Sequence, residues 1–223
     1  MKKEIRKIIT LAKAAPNLKS QIISAIIALL AGIMLEITTA YYSNSIASGI
    51  CIINSILFIH QSIMITSGTG LAQSSPSAKK LQTIYPILQL PVYIITFVII
   101  SIHRLYLVNN HLQDIPIKDS SAAQCSYILC FSTTCFFFLM LENICYKHLI
   151  LGCICMIPAA APMIINAVSY KNNFDIFYHI SIKSSIAIGF LIITAGSLLA
   201  FLVANLFYKH PISAHFMKLN YKV

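Results

Sequence analysis

The sequence predicts an all-α, polytopic membrane protein with about six transmembrane helices, preceded by an N-terminal amphipathic interfacial helix. Of its 223 residues, 58% are hydrophobic and only 10% are charged, and the mean hydropathy is +0.80. Such a chain is too apolar for a water-soluble domain of this length. Apolar runs recur along it, and a bilayer core of about 30 Å takes about 20 residues per helix. The length therefore accommodates about six spans in a single domain.

Residues 1–19 predict an amphipathic helix on the cytoplasmic surface. Apolar side chains recur at spacings of three and four between Ile5 and Ala12, with the basic side chains largely opposite. Pro16 ends this pattern. The transmembrane spans are then predicted at residues 21–42, 46–66, 84–108, 122–141, 149–170 and 185–208, and residues 209–223 form a cytoplasmic tail.

Short or polar connections separate these spans. Residues 43–45 join the first two spans, and the polar stretch 109–121 separates the third from the fourth. Residues 142–148, which contain four polar or charged side chains, mark the end of the fourth span. Pro86 and Pro91 interrupt the third span near its start.

Two prolines also fall within the fifth span. Pro158 and Pro162 lie in an alanine-rich segment and predict a helix that is kinked or broken near its middle. Small alanines allow close helix packing, and proline frees backbone carbonyls. One interpretation is a gate or a dimer seam, and the other is a static kink.

The distribution of basic residues predicts the orientation. With the N-terminus inside, the inner segments carry twelve of the sixteen Lys and Arg residues and the outer segments carry four. Both termini are therefore predicted in the cytoplasm, which agrees with an even number of spans. The Ile- and Lys-rich composition suggests a bacterial plasma membrane.

The net charge of +10 does not indicate nucleic acid as a partner. The basic residues cluster at both ends and in short connections, where anionic membrane lipid is their natural partner. The seven cysteines are an odd number, and most lie in apolar runs, so they are interpreted as small core residues rather than disulfide partners.

Polar side chains inside a membrane span are costly and are therefore candidate functional residues, and Glu36, His60 and Gln61 are singled out here. Glu36 lies in the outer half of span one, and His60 and Gln61 lie in the inner half of span two. This placement argues against a proton relay between Glu36 and His60. Glu36 is expected to bind a group in a neighbouring helix or to face an outer vestibule. His60 and Gln61 are interpreted as interhelical hydrogen-bond partners or as part of a substrate site.

Two further groups lie at span ends. His103 and Arg104, near the outer end of span three, are expected to reach the lipid headgroups. Glu142, near the inner end of span four, is expected to form a solvated interfacial pair with Lys147 or His148.

The sequence offers no pattern for catalysis. It has no His-Glu-x-x-His motif, no Gly-x-Ser-Gly turn and no Gly-x-x-x-x-Gly-Lys phosphate loop. Cys153 and Cys155 are two apart and point to different sides of a helix, so they chelate a metal together only if the helix unwinds near Pro158. No enzyme activity, metal or cofactor is therefore expected.

The loop of residues 67–84 is the most specific segment. Ser75 can cap a helix that begins at Pro76 and ends near Thr83, with Lys79 and Lys80 exposed on the inner face. The alternative is a solvated loop whose lysines serve only to set the topology.

The layout of the chain resembles the six-span permease subunits of type-2 ATP-binding-cassette (ABC) exporters. In that family a basic amphipathic helix precedes span one, and a short coupling helix that often reads Ser-Pro followed by basic residues lies between spans two and three. Ser74, Ser75, Pro76, Lys79 and Lys80 are similar to that pattern. The acidic, arginine-containing stretch that often precedes the Ser-Pro pair is absent.

This resemblance implies the membrane subunit of an ATP-driven exporter. Its partners would be a separate cytoplasmic ABC ATPase, which docks at loop 67–84, and a second copy of itself or a similar permease. Alternating access would be driven by force on the coupling helix. The alternative hypothesis is a non-catalytic membrane interaction protein, such as an immunity or assembly factor, without transport activity.

Overall fold

The described part of the chain folds into six long α-helices in a computed structural model. The structure describes residues 6, 9, 10, 13, 18–39, 46–67, 74, 78–110, 120–145, 147–171, 180–208 and 210. The helices are α1 (Leu18–Thr39), α2 (Ile46–Ser67), α3 (Ala78–Asn110), α4 (Ser120–Cys145), α5 (Leu149–Lys171) and α6 (Ile182–Phe207). The described part of the chain contains no strand, which confirms the predicted all-α class.

Five of these helices, all except α5, are long and apolar enough to cross a membrane. In α5 the apolar stretch is shorter, from Ile150 to Asn166. Large aliphatic side chains cover the outside of the bundle, which is the arrangement expected where the surrounding solvent is lipid. The protein is a multi-pass membrane protein.

Helix α4 lies at the centre of the bundle, and α1 lies at its edge. In α4, 78% of the apolar stretch is buried, whereas in α1 the buried share is 17%. The most extensive contacts join α4 to α5 and α6, α3 to α6, and α1 to α2. Helices α1 and α2 therefore form one unit, the α1–α2 hairpin, which makes far fewer contacts with the α3–α6 body than with itself.

Glycine allows the closest approach within the hairpin. A Cβ atom added at Gly32 would lie 2.6 Å from Ile52 Cγ1 and 3.0 Å from the Ile52 backbone nitrogen. Helices in lipid associate mainly through van der Waals packing, which small residues at the interface improve. Gly32 thus sets the separation of α1 and α2.

Helix α3 is continuous from Ala78 to Asn110 and contains both Pro86 and Pro91. The prediction of a separate helix ending near Thr83 was therefore wrong, and residues 78–83 form the first turns of the third spanning helix. Both prolines lie in the first half of this helix, and the Ser197 hydroxyl of α6 donates to the Pro86 carbonyl at 3.1 Å. Packing against α6 supports α3 in this region.

Helix α5 is likewise continuous through Pro158 and Pro162. Of the two predicted alternatives, a kinked or a broken helix, the break does not occur. Pro158 is exposed and Pro162 is half-buried, while the neighbouring Ala159 and Met163 are fully buried.

The two predicted cytoplasmic ends fall mostly outside the described residues. Within residues 1–17, Arg6, Ile9, Thr10 and Lys13 are helical and exposed. Of residues 209–223, the structure describes His210.

Candidate functional site

A buried ion pair links α1 to α3 near one end of the bundle. The Arg104 Nε donates to Glu36 Oε1 at 2.6 Å, and Arg104 Nη2 donates to Glu36 Oε2 at 2.9 Å. Arg104 is fully buried and Glu36 is 5% exposed. Paired N–H donors on one carboxylate give the strongest geometry for such a contact.

Helices α2 and α4 complete this arrangement, which we call the Arg104 cluster. Ser48 of α2 donates to Glu36 Oε2 at 2.8 Å. From α4, Gln124 Oε1 accepts from Arg104 Nη1 at 2.7 Å, and the Tyr127 ring lies 3.7 Å from Arg104 Cζ. The guanidinium is thus held by a carboxylate, an amide and an aromatic face, which together compensate for the cost of its burial.

The expectation that Arg104 reaches the lipid headgroups was therefore wrong. Glu36 lies at the same level on a neighbouring helix, and pairing with it satisfies the guanidinium without stretching the side chain to the membrane surface. His103 is half-buried, with its Nδ1 atom 3.3 Å from Glu36 Oε1. Of the two expectations for Glu36, the structure shows the contact with neighbouring helices.

A second buried group, the Glu142 cluster, lies toward the other end of the bundle. Tyr93 donates to Glu142 Oε1 at 2.7 Å, and Gln89 Nε2 donates to Glu142 Oε2 at 2.5 Å. Both donors lie on α3, and Glu142 lies in α4. Glu142 is 5% exposed, and no Lys or Arg of the described residues forms a salt bridge with it.

His60 joins this cluster to α2. Its Nδ1 atom lies 2.7 Å from Gln89 Nε2 and 3.5 Å from Glu142 Oε2, and its Nε2 atom lies 3.3 Å from the Glu142 carbonyl. The tautomer with hydrogen on Nε2 gives both ring nitrogens a partner. His60 is therefore an interhelical partner, and Gln61 beside it is partly buried.

The solvated pair predicted for Glu142 was wrong. Lys147 instead donates from Nζ to the His210 carbonyl at 2.8 Å, and the His148 ring packs against the rings of Phe207 and His210. A sequence signal for the true partners existed: Gln89 and Tyr93 are four residues apart and share one face of a helix.

The two clusters provide the polar links between the α1–α2 hairpin and the α3–α6 body. Glu36, Ser48 and His60 belong to the hairpin, and each of them also contacts a group on α3 or α4. Three isoleucines of α2 also join the hydrophobic core formed with α3, α4 and α5: Ile52, Ile53 and Ile56. The hydrogen bonds therefore add directional specificity to an apolar contact across this boundary.

An apolar cleft of about 510 Å³ separates the hairpin from α3. Its walls include Leu29 of α1, Ile59 of α2, and Val92 of α3. Gln89 also lines this cleft, which we call the α2–α3 cleft, so the cleft directly adjoins the Glu142 cluster.

The basic residues predicted to contact an ATPase lie at the start of α3. Lys79 and Lys80 are exposed, and Lys79 Nζ lies 5.3 Å from the centre of the Tyr208 ring. Ser75 and Pro76 lie outside the described residues, while Ser74 is exposed. Neither these residues nor Pro158 and Pro162 belong to the two buried clusters.

The described residues contain no group of three or more His, Cys, Asp or Glu side chains suited to a metal ion. Comparison with known proteins found no matching family model, curated protein or solved structure.

Proposed function

We propose that this protein is the membrane subunit of an ATP-driven export transporter, similar to the type-2 ABC permeases, and that a separate cytoplasmic ATPase contacts it at residues 67–84. One observation carries the proposal. Helix α3 runs without interruption from the exposed Lys79 and Lys80 to Gln89, Tyr93 and Arg104, which hold the two buried clusters.

The length of α3 makes it suitable for transmitting force. At about 1.5 Å per residue, Lys79 and Arg104 are separated by roughly 38 Å along the helix axis. A push on the basic end would displace the donors of both clusters together, because they belong to the same helix. Such a displacement would loosen the α1–α2 hairpin from the body and open the boundary between them.

The proposed orientation places the basic end of α3 and both termini in the cytoplasm. It is supported by contacts that gather basic residues at one end of the bundle: Lys79 lies near Tyr208, and Lys147 bonds to His210. The excess of positive charge at this end agrees with a cytoplasmic location. We further propose that the protein lies in the plasma membrane, pairs with a second permease copy and contacts anionic lipid.

Affinity purification in mild detergent, followed by mass spectrometry, tests the proposed partner. The native chain should recover a cassette ATPase, and Lys79→Glu/Lys80→Glu should lose it. Lys183→Glu is the control, since Lys183 is exposed at the start of α6. Recovery of the ATPase by the doubly substituted chain at the native level would overturn the proposed contact.

Labelling with a membrane-impermeant maleimide tests the orientation. Lys80→Cys should react in inside-out vesicles and not in intact cells, and Lys183→Cys should show the reverse. Cys125, Cys130 and Cys135 are buried and Cys51 and Cys155 are partly buried. The native chain, labelled in parallel, provides the background from its own cysteines. Reaction of Lys80→Cys in intact cells would exclude a cytoplasmic ATPase as its partner.

A non-catalytic interaction protein is the second candidate. It is supported by α1, which packs mainly on α2 and leaves most of its surface uncovered for another membrane protein. Recovery of an unrelated membrane protein without an ATPase, lost on substitution of exposed α1 residues, would favour this candidate.

A further inference from the structure

The Glu142 carboxylate lies where the α1–α2 hairpin meets the α3–α6 body, and its charge is not balanced there. Its side chain is 1% exposed, and no Lys or Arg of the described residues forms a salt bridge with it. The side chains of Tyr93 and Gln89 donate hydrogen bonds to it, but both are neutral groups. Buried charges are usually paired with an opposite charge. The Glu142 cluster therefore favours the arrival of one positive charge.

His60 of α2 is the group in this cluster that can acquire such a charge. In its neutral form, Nδ1 accepts from Gln89 Nε2 at 2.7 Å and Nε2 donates to the Glu142 carbonyl at 3.3 Å. Nδ1 also lies 3.5 Å from Glu142 Oε2. Bonds from N–H cations to carboxylates measure about 2.7–2.9 Å, so a small shift of the imidazole would let a proton on Nδ1 bond to Glu142. Imidazole is the side chain whose charge ordinarily changes between about pH 5 and pH 8.

The other ionisable groups around Glu142 do not supply a positive charge. Those that face it from α3 and α4 are neutral or acidic, namely Tyr85, Tyr93 and Cys135. The basic side chains at the same end of the bundle contact α6 or the residues after it: Lys79 with Tyr208, Lys147 with His210, and His148 with Phe207. On α5 and α6 the described ionisable side chains within the helices are Cys155 and, at the far end of α6, Lys183. The remaining described basic side chains are exposed or lie at the Arg104 cluster: Arg6, Lys13, Lys19, Lys80, His103 and Arg104.

The Glu142 cluster lies close to one end of the bundle. Glu142 is within one turn of the end of α4 at Cys145, and the exposed Lys80 lies near the start of α3 at this same end. A proton from water therefore needs to pass about one helical turn, or roughly 5 Å, to reach the carboxylate.

We propose that His60 and Glu142 form a proton-binding site, in which His60 takes up a proton from water at Nδ1 and donates it to Glu142 Oε2. The proton adds to the Nδ1 lone pair, and Gln89 gives up His60 as an acceptor. Gln89 keeps its bond to Glu142 and also has a side-chain hydrogen bond with Tyr85. The site goes beyond the proposed coupling to an ATPase and does not depend on it.

Proton binding at this site strengthens the contact between hairpin and body. His60 belongs to α2 and Glu142 to α4, so the ion pair that forms joins the two units directly. Without the proton, the link runs through the Gln89 amide and the Glu142 carbonyl. A charge-assisted hydrogen bond is about twice as strong as a neutral one. Loss of the proton should therefore loosen the hairpin.

Heteronuclear NMR of the full chain, labelled at its histidine side chains and held in mixed micelles, detects the proton directly. The chain has seven histidines, and His60→Gln assigns the signal of His60. Between about pH 8 and pH 5 this signal should change from that of a neutral ring with hydrogen on Nε2 to that of an imidazolium. Glu142→Gln should weaken proton binding at His60 by about tenfold or more, because the carboxylate charge is gone.

Two further variants separate this site from its surroundings. Tyr93→Phe removes a donor from the Glu142 carboxylate, which leaves more of its charge for His60, so proton binding should become tighter. His103→Gln is the matched control, because His103 lies beside Glu36 in the Arg104 cluster. It should leave the His60 signal and its pH dependence unchanged.

Reversible unfolding measures the effect on the fold. The unfolded chain lacks the ion pair, so the folded chain binds this proton more tightly, and the added stability is present at acidic pH and lost as pH rises. Relative to His60→Gln, the folding equilibrium constant of the native chain should rise about tenfold from pH 8 to pH 5.

A His60 ring that stays neutral down to pH 5 would overturn the proposal. Equal proton binding in the native chain and Glu142→Gln would do so as well, as would a folding constant that keeps the same ratio to that of His60→Gln throughout. If Glu142→Gln does not fold, Tyr93→Phe decides, and unchanged or weaker proton binding in that variant contradicts the site. These measurements involve no ATPase, so their failure is distinct from failure of the proposed function.

Discussion

Arg104 on α3 and Glu36 on α1 form a two-point ion pair, with both carboxylate oxygens accepting from the guanidinium at 2.6 and 2.9 Å. The pair joins residues 68 positions apart in the sequence. It fixes the rotation of the α1–α2 hairpin relative to the α3–α6 body, because both side chains are buried and neither can exchange its partner for water.

Breaking this pair from one side should be strongly destabilising. Arg104→Gln leaves a buried carboxylate without its cation, and we expect a loss of about 3–5 kcal/mol in the free energy of unfolding. The double substitution Glu36→Gln/Arg104→Gln should recover part of this loss, because both charges are gone. Reversible unfolding in mixed micelles measures the cycle, and strictly additive effects would contradict direct pairing.

The hydroxyl of Tyr93 should contribute through Glu142. Tyr93→Phe removes a donor to a buried carboxylate, and we expect a loss of about 1.5–3 kcal/mol in the free energy of unfolding. In a Glu142→Gln background the same substitution should cost less, since the acceptor is no longer charged. An equal cost in both backgrounds would show that Tyr93 acts through packing alone.

Gly32 should tolerate no added methyl group. In Gly32→Ala the new Cβ would meet Ile52 on the facing helix, and we expect overpacking to cost about 1–3 kcal/mol in the free energy of unfolding. Ala31→Leu adds a larger group on the exposed side of α1 and should change this free energy by less than about 0.5 kcal/mol. A comparable loss in both variants would contradict the close approach of α1 and α2.

Lys147 should make the free energy of unfolding increase with pH in the alkaline range. Burial lowers the pKa of Lys147 below its ordinary value of 10.5, so its charged form is disfavoured in the folded protein. As pH rises from the lowered pKa toward 10.5, the folded chain binds fewer protons than the unfolded chain, and stability increases. Relative to Lys147→Met, the native chain should gain unfolding free energy over this range. A difference that is constant or falls with pH would contradict this explanation.

Hydropathy was sufficient to predict the all-α membrane class and the approximate positions of the helices. The apolar composition of each span indicates, without knowledge of the other spans, that lipid surrounds it. The start of α3 was less predictable. Pro86 and Pro91 suggested an interruption, but packing against α6 maintains one continuous helix through both. Local breaking signals therefore did not determine this boundary.

The partners of buried polar residues were predicted least well. The sequence indicates the depth of Glu36, Arg104 and Glu142 in the membrane, but the choice among neighbouring helices depends on their tertiary arrangement. Arg104 and Glu142 were both assigned to the interface because charged side chains near span ends usually reach water. In this bundle, buried partners at the same depth provided the more favourable alternative.

Physical contact between α3 and an ATPase is the most direct test of the proposed function. A photo-crosslinking amino acid at position 80 should yield an adduct with a cassette ATPase after irradiation of intact cells, and the same group at position 183 should not. Adduct formation at position 80 would agree with force transmission along α3. If position 80 yields no ATPase adduct, or if both positions yield the same adducts, the proposed coupling at Lys79 and Lys80 is contradicted.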